Sequence, residues 1–291
     1  MSDAPASAYA HCEDVVRAED PDRHLSALFA PAALRPHLHA LSAFSVEVSR
    51  IRGAVSAPLP GEIRLQWWRD ALAGETRGDL ASHPVAAALD DTICRFDLPR
   101  TAFGALLDAR VFDLYDDPMP SVADLEGYLG ETASAPIRLA ALVLADGADP
   151  GPADAAGHAG VAYGIAGLLR ALPWHAREGR LYVPKEVLDR YGVTREDVVT
   201  GRGGPGFLQA LTDLRKLARD HLSRAAAVPV PATIRSALLP GALVPGYLHD
   251  MEAPGYDPFR TVIEVPRWRK IATLWWAANR RGNSPIRLRL G

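Results

Sequence analysis

Apolar residues recur along most of the chain with the 3.6-residue period of helices that pack on one side, and strand-like alternation is scarce. The clearest stripe follows Pro31, where Leu34, Leu38, Leu41, Val48, Ile51 and Val55 share one helical face. Pro31 suits the first turn of that helix, because its missing N–H costs nothing there, and Pro58 and Pro60 are expected to end it. A second helix is predicted after Gly61, with Leu65, Trp68 and Leu72 on its inner side, a third from Pro84 to Cys94 and a fourth over 101–114. Asp116-Asp117-Pro118 reads as a turn. Ser121 and Asp124 form a capping-box signature that opens a helix toward Glu131, and a further helix over 136–145 is broken by Asp146-Gly147.

The segment 153–172 is predicted to be helical although it holds Gly157, Gly160, Gly164 and Gly167. Each glycine costs a helix about 1 kcal/mol relative to alanine, so four of them point to close approach of a neighbour or a ligand. Pro173 is expected to end this helix. Leu181-Tyr182-Val183 is short and extended, Pro184 begins a helix that runs to Arg190, and 200–206 is a loop. Helices resume over 207–227, 231–249 and 266–281. No repeat and no shift in composition divides the chain, so 1–291 reads as one all-α domain, with 1–20 expected to be a flexible N-terminal extension.

Composition narrows the class. The 291 residues are 48% hydrophobic and 23% charged, enough to build a large core, and a net charge of −3 argues against a dedicated nucleic-acid binder. Cys12 and Cys94 are too few for a disulfide scaffold or a cysteine zinc site, and neither has a catalytic constellation around it. No apolar run is long enough to span a bilayer and the N-terminus does not read as a secretory signal, so a cytoplasmic setting is expected. The basic residues are 29 arginines and 3 lysines, beside 49 alanines, as a GC-rich genome would give. From Arg260 to Gly291 eight basic residues face one acid, Glu264. A basic tail on an acidic body suits an anionic partner or a lipid surface. Of the tandem tryptophans 67–68 and 275–276, one member of each pair is expected inside. An outer tryptophan beside Arg267, Arg269, Lys270, Arg280 and Arg281 would suit a membrane interface.

Four ordered blocks carry a family resemblance: residues 22–55, LQWWRDAL at 65–72, FDLYDDP at 112–118, and GVAYGIAGLLRALPWHAREGRLYVP at 160–184. They resemble the squalene/phytoene synthase family over about residues 20–280. The resemblance implies an isoprenoid-synthase helical bundle around a central cavity. It also implies head-to-head condensation of two prenyl diphosphates, with Mg²⁺ held by two DxxxD motifs on facing helices. Magnesium prefers hard oxygen ligands, and the i, i+4 spacing aims both acids of a motif into the cavity. The four acid positions of the family fall here on Ser49, Gly53, Ala171 and His175. Glu47 does not replace them, being two residues and ~200° around the helix from Ser49. Glu178 lies in an expected loop.

This loss resembles a degenerate branch that includes a mitochondrial respiratory complex I assembly factor. The resemblance therefore implies a scaffold that is not an enzyme, binds no metal cofactor, works with complex I subunits or assembly intermediates, and sits peripherally on the inner face of the inner membrane. The alternative is an active prenyl transferase of the squalene/phytoene synthase type, which would need Mg²⁺. A third reading is a carrier of hydrophobic ligands. Asp113 and Asp117 have the DxxxD spacing, and the plain reading of both is a solvated helix end beside Asp116. Arg50, Arg52, Arg170, Arg177 and Arg180 cluster in sequence where active members place acids, and arginine grips phosphate bidentately without a metal. They are candidates for binding a prenyl diphosphate or a phospholipid. His175 lacks a second ligand at metal spacing. His37 and His39 are i, i+2 and cannot share a helical face, so they are read as packing or surface residues.

Overall fold

A computed structural model describes residues 6–75, 82–151, 153–280, 282 and 284–286. Among the described residues there is no strand, and the fold is all-α. We label the helices α1 (Ala6–Glu19), α2 (Pro21–Ala27), α3 (Arg35–Arg50), α4 (Pro58–Ala73), α5 (Pro84–Phe96), α6 (Arg100–Arg110), α7 (Val122–Leu129) and α8 (Ala135–Leu144). They continue as α9 (Ala153–Arg170), α10 (Leu172–Arg177), α11 (Lys185–Arg190), α12 (Arg195–Val199), α13 (Gly204–Ala227), α14 (Arg235–Asp250) and α15 (Arg267–Asn279).

Several helix ends follow from local chemistry. The capping box forms as the sequence suggests: the Asp124 N–H donates to Ser121 Oγ at 3.1 Å and the Ser121 N–H returns to Asp124 Oδ2 at 3.1 Å. Asp146 (φ 55°) and Gly147 (φ 82°) end α8 in left-handed backbone, with the Gly147 N–H on Leu142 O at 2.9 Å. The prolines behave differently from expectation. Pro58 opens α4 and Pro173 opens α10, since proline fits a helix's first turn as readily as it follows a helix's end. The stripe after Pro31 ends as α-helix at Arg50 and closes with a 3₁₀ turn, Arg52–Ala54.

The extension expected over 1–20 is, over Ala6–Glu19, a packed helix. Ala8, Cys12 and Val16 lie four apart on one buried face, and Tyr9 donates to Asp91 Oδ2 of α5 at 2.5 Å. The two histidines of α3, His37 and His39, are both buried.

At the centre runs α9, packed most extensively along α13, with α14 and the α7–α8 junction on its other sides. That junction is one π turn, Gly130–Ser134. It brings Ser134 against α9, where Ser134 Oγ donates to Gly157 O at 2.7 Å. A Cβ on Gly160 would sit 2.3 Å from Ser134 Cα, and one on Gly164 would sit 2.6 Å from the Leu129 side chain. Two of the four glycines therefore answer to close packing, while Gly157 and Gly167 leave open space. Gly160→Ala is expected to destabilise the fold by about 2 kcal/mol despite alanine's better helix propensity, because backbone has to move. Chemical denaturation reads this directly, and an unchanged midpoint would contradict the close approach.

Candidate functional site

Facing stretches of α3 and α9 enclose a cleft of about 270 Å³. Helical spacing decides what each presents: Ser45, Val46, Ser49 and Arg50 from α3, and Tyr163, Gly164, Gly167, Leu168 and Arg170 from α9. The corner between α1 and α2 adds Glu19, Asp20 and Arg23, while Arg110, Tyr128 and Thr132 complete the wall. Four arginines thus surround the cleft, each tied to a carboxylate. Arg23 meets Asp20 at 3.2 Å, Arg50 meets Glu19 at 3.1 Å, Arg110 meets Asp113 at 2.9 Å and Arg170 meets Asp22 at 3.4 Å. Only Glu19 and Asp20 among these acids border the cleft itself, so its lining is cationic. Asp20 is further engaged as the cap of α2, accepting from the Arg23 N–H at 3.0 Å.

The other two acids lie behind the wall. Asp22 is 2% exposed. Its Oδ1 accepts from Lys270 Nζ at 2.7 Å, and its Oδ2 accepts from Tyr247 Oη at 2.6 Å and from Arg170 Nη1 at 3.4 Å. The Arg170 guanidinium also stacks over the Tyr247 ring at 4.0 Å. One carboxylate therefore joins α2, α9, α14 and α15. Asp113 sits in a 3₁₀ turn, Val111–Leu114. Its Oδ1 accepts from Tyr128 Oη (2.8 Å) and Tyr182 Oη (2.7 Å), and its Oδ2 from Arg110 Nη1 (2.9 Å). Burial first, and the Asp113 charge with it, pushes both phenols above the usual tyrosine range, so they stay protonated and donate.

Asp113 is therefore not the solvated helix end its sequence context suggests, because three donors enclose it. Both its oxygens are occupied, which leaves little for a metal. Asp116 and Asp117 are exposed, and Asp116 reaches Arg52 only at 3.7 Å. Asp113 and Asp117 do border one shallow pocket with Arg180. Among the described residues, no group of three His, Cys, Asp or Glu side chains could hold a metal ion.

The four degenerate motif positions separate in space. Ser49 lines the cleft and turns its hydroxyl onto Val46 O at 2.7 Å. Gly53 is exposed, in the 3₁₀ turn past the end of α3. Ala171 joins α9 to α10 without lining the cleft. His175 lies in a small apolar pocket with Leu168, Leu172 and Leu214, its ring 4.9 Å from Tyr182. Burial, then Arg180, drives its pKa down to about 4, so it is a neutral imidazole.

The five candidate arginines do not assemble either. Arg50 and Arg170 share the cleft. Arg180 pairs with Glu178 at the neighbouring pocket, Arg52 holds Val55 O at 3.3 Å, and Arg177 is exposed on α10. Arg23 and Arg110, which complete the cationic lining, escape sequence reasoning because they belong to neither motif. The one signal for Arg23 is that 22 and 23 open the first block, with 20 just before it. On α15 the expectation of one buried tryptophan is corrected: both Trp275 and Trp276 are exposed, since Lys270, Leu274 and Ala277 take the inner face. Lys270, read as part of a basic tail that suits a lipid surface, is buried on Asp22. Arg281 lies outside the described residues. Cys12 is buried, its thiol pushed up to about 12 mainly by burial, and Cys94 is exposed.

A helical bundle closed around an α3–α9 cleft is the architecture of prenyl-condensing enzymes, and the comparisons agree. The squalene/phytoene synthase family profile matches residues 16–270, and the chain belongs to that family. It is 29% identical over 274 residues to NADH dehydrogenase (ubiquinone) complex I, assembly factor 6 of Rattus norvegicus, covering 89% of this chain and 82% of the relative. It is 24% identical to the 15-cis-phytoene synthase of Synechococcus elongatus, covering 92% of each. Among solved structures, a squalene synthase from Alicyclobacillus acidocaldarius superposes with a TM-score of 0.73 at 23% identity, over 87% of this chain and 96% of that one. No helix among the described residues is long and apolar enough to cross a membrane.

Proposed function

We propose that the chain is a non-catalytic member of its family that acts as a scaffold in the assembly of respiratory complex I, and that its cleft holds the phosphorylated head of a lipid without turning it over. The carrying observation is the lining itself. Where α3 and α9 face each other they present two serines, two glycines and two arginines beside Val46, Tyr163 and Leu168, and no carboxylate. This donor set does not suit a magnesium–diphosphate cluster, whose ligands are hard anionic oxygens. It does suit a phosphate, which four guanidinium groups can meet directly. Glu19 and Asp20, already paired with Arg50 and Arg23, would yield their partners when a stronger anion arrives. The likeness to the rat assembly factor supports the scaffold half of the reading. In this reading the protein works peripherally, on the inner face of the membrane that carries complex I.

Incubation with farnesyl or geranylgeranyl diphosphate and Mg²⁺ is expected to release no diphosphate, and measurable release would return the protein to the prenyl transferases. Titration calorimetry with a non-hydrolysable prenyl diphosphate analogue should give heat with and without Mg²⁺. Arg50→Gln is expected to weaken that binding about tenfold, the scale of one charge-assisted contact. Absence of heat would end the cleft reading alone. Failure of the tagged protein to enrich complex I subunits from membranes would end the scaffold reading alone.

A further inference from the structure

Among the described residues, the outer face of α15 is covered by no other helix. Trp268, Trp275 and Trp276 are 69%, 52% and 71% exposed, and Ile271 is also exposed. At ~100° per residue, these four side chains and Ala272 fall within an arc of ~140°. The arc is centred opposite the inner face made by Lys270, Leu274 and Ala277. Arg267 and Arg269, both exposed, fall on either edge of it. The helix cannot bury this face by rolling, because Lys270 is fixed on Asp22 from the other side. Three tryptophans held outward on one helix are far from the scattered single apolar residues of an ordinary surface.

We propose that this face of α15 is a membrane-docking surface, lying in the interface of an anionic bilayer with its tryptophans at the level of the acyl–headgroup boundary and Arg267 and Arg269 against lipid phosphates. Indole rings favour that boundary, with an apolar body in the hydrocarbon and an N–H toward water. Thirteen residues of helix are too few to span a bilayer and suit one lying in its plane. The charge argument selects lipid over a generic apolar partner. The flanks of the arc carry arginine, and the last 32 residues hold, besides the buried Lys270, seven basic groups against one acid. This deepens the peripheral location proposed above, and it is tested without complex I, so either reading can fail alone.

The test is flotation of the full chain with vesicles of phosphatidylcholine mixed with phosphatidylglycerol, against vesicles of phosphatidylcholine alone. The wild-type protein is expected to float with the anionic vesicles and to lose that binding in high salt. Brominated acyl chains in the same vesicles should quench its tryptophan emission. The triple variant W268S/W275S/W276S should bind at least ~10-fold more weakly, with an unchanged circular dichroism spectrum because the replaced rings touch mainly one another and Arg269 rather than the core. Arg267→Gln with Arg269→Gln should abolish the preference for anionic vesicles while leaving residual quenching. Equal flotation of wild type and triple variant would overturn the proposal. So would a wild-type protein that ignores vesicles but self-associates, with the triple variant monomeric, since the face would then join copies of the chain.

Discussion

Asp22→Ala is expected to lower the unfolding free energy by about 3–5 kcal/mol, the usual cost of stripping one partner from a buried ion pair. The substitution leaves the Lys270 ammonium in a site that is 9% exposed at the side chain and takes the acceptor from Tyr247. A buried unpaired ammonium either keeps its charge at high cost or gives up its proton, and both weaken the fold. Arg170 suffers less, being partly exposed and stacked on the Tyr247 ring. Against a typical total stability of about 5–15 kcal/mol, this loss removes roughly a fifth or more of the whole. Urea denaturation followed by circular dichroism measures it. The double variant Asp22→Ala with Lys270→Met should recover a large part of the loss, because an apolar pair replaces an orphaned charge. A loss below about 1 kcal/mol for the single variant would mean that water already reaches the pair.

Asp113→Ala is expected to cost a similar amount, about 3–4 kcal/mol, for a different reason. Three donors converge on this carboxylate from α6, α7 and the strap before α11, and each loses that acceptor. Arg110 is the most serious loss, because the Tyr128 hydroxyl at 2.8 Å is the one contact it keeps. Asp113→Asn should cost less, about 2 kcal/mol, since a carbonyl oxygen can still receive the two phenols while the amide group faces Arg110. Differential scanning calorimetry would separate the two variants. An Asp113→Ala protein as stable as wild type would refute the network. In an activity assay, therefore, loss of turnover in Asp113→Ala would not distinguish a lost metal ligand from a lost fold, and Arg50 is the cleaner position to probe.

The sequence carried the helical periods plainly, and where it misled, the cause was local ambiguity or distance along the chain. Pro58 and Pro173 stand between two helices each, and proline chemistry alone does not say which helix it serves. The buried face of α1 amounts to Ala8, Cys12 and Val16, a stripe too short and too weakly apolar to stand out beside Glu13, Asp14 and Glu19. The glycines of α9 pointed correctly to a close approach, yet only Gly160 and Gly164 make one. The site was legible as a loss, in that the acids of two motifs are missing. Its replacement was not legible, because Arg23 and Arg110 reach the cleft from elements outside those motifs. Lys270 looked like one charge among eight in a basic tail, and nothing local marks it as the one that, among the described residues, turns inward.

The Asp22–Lys270 contact also sets an order on synthesis, since its partners are 248 positions apart. Asp22 leaves the ribosome 248 residues ahead of its ammonium partner. Closing so long a span is slow, because the chain entropy is lost before the contact rewards it. Until α15 arrives, the corner around α2 holds a carboxylate without its counter-charge and the inner faces of α2 and α14 stay uncovered. Helix α15 is thus the latch that closes the α2–α14 corner of the bundle.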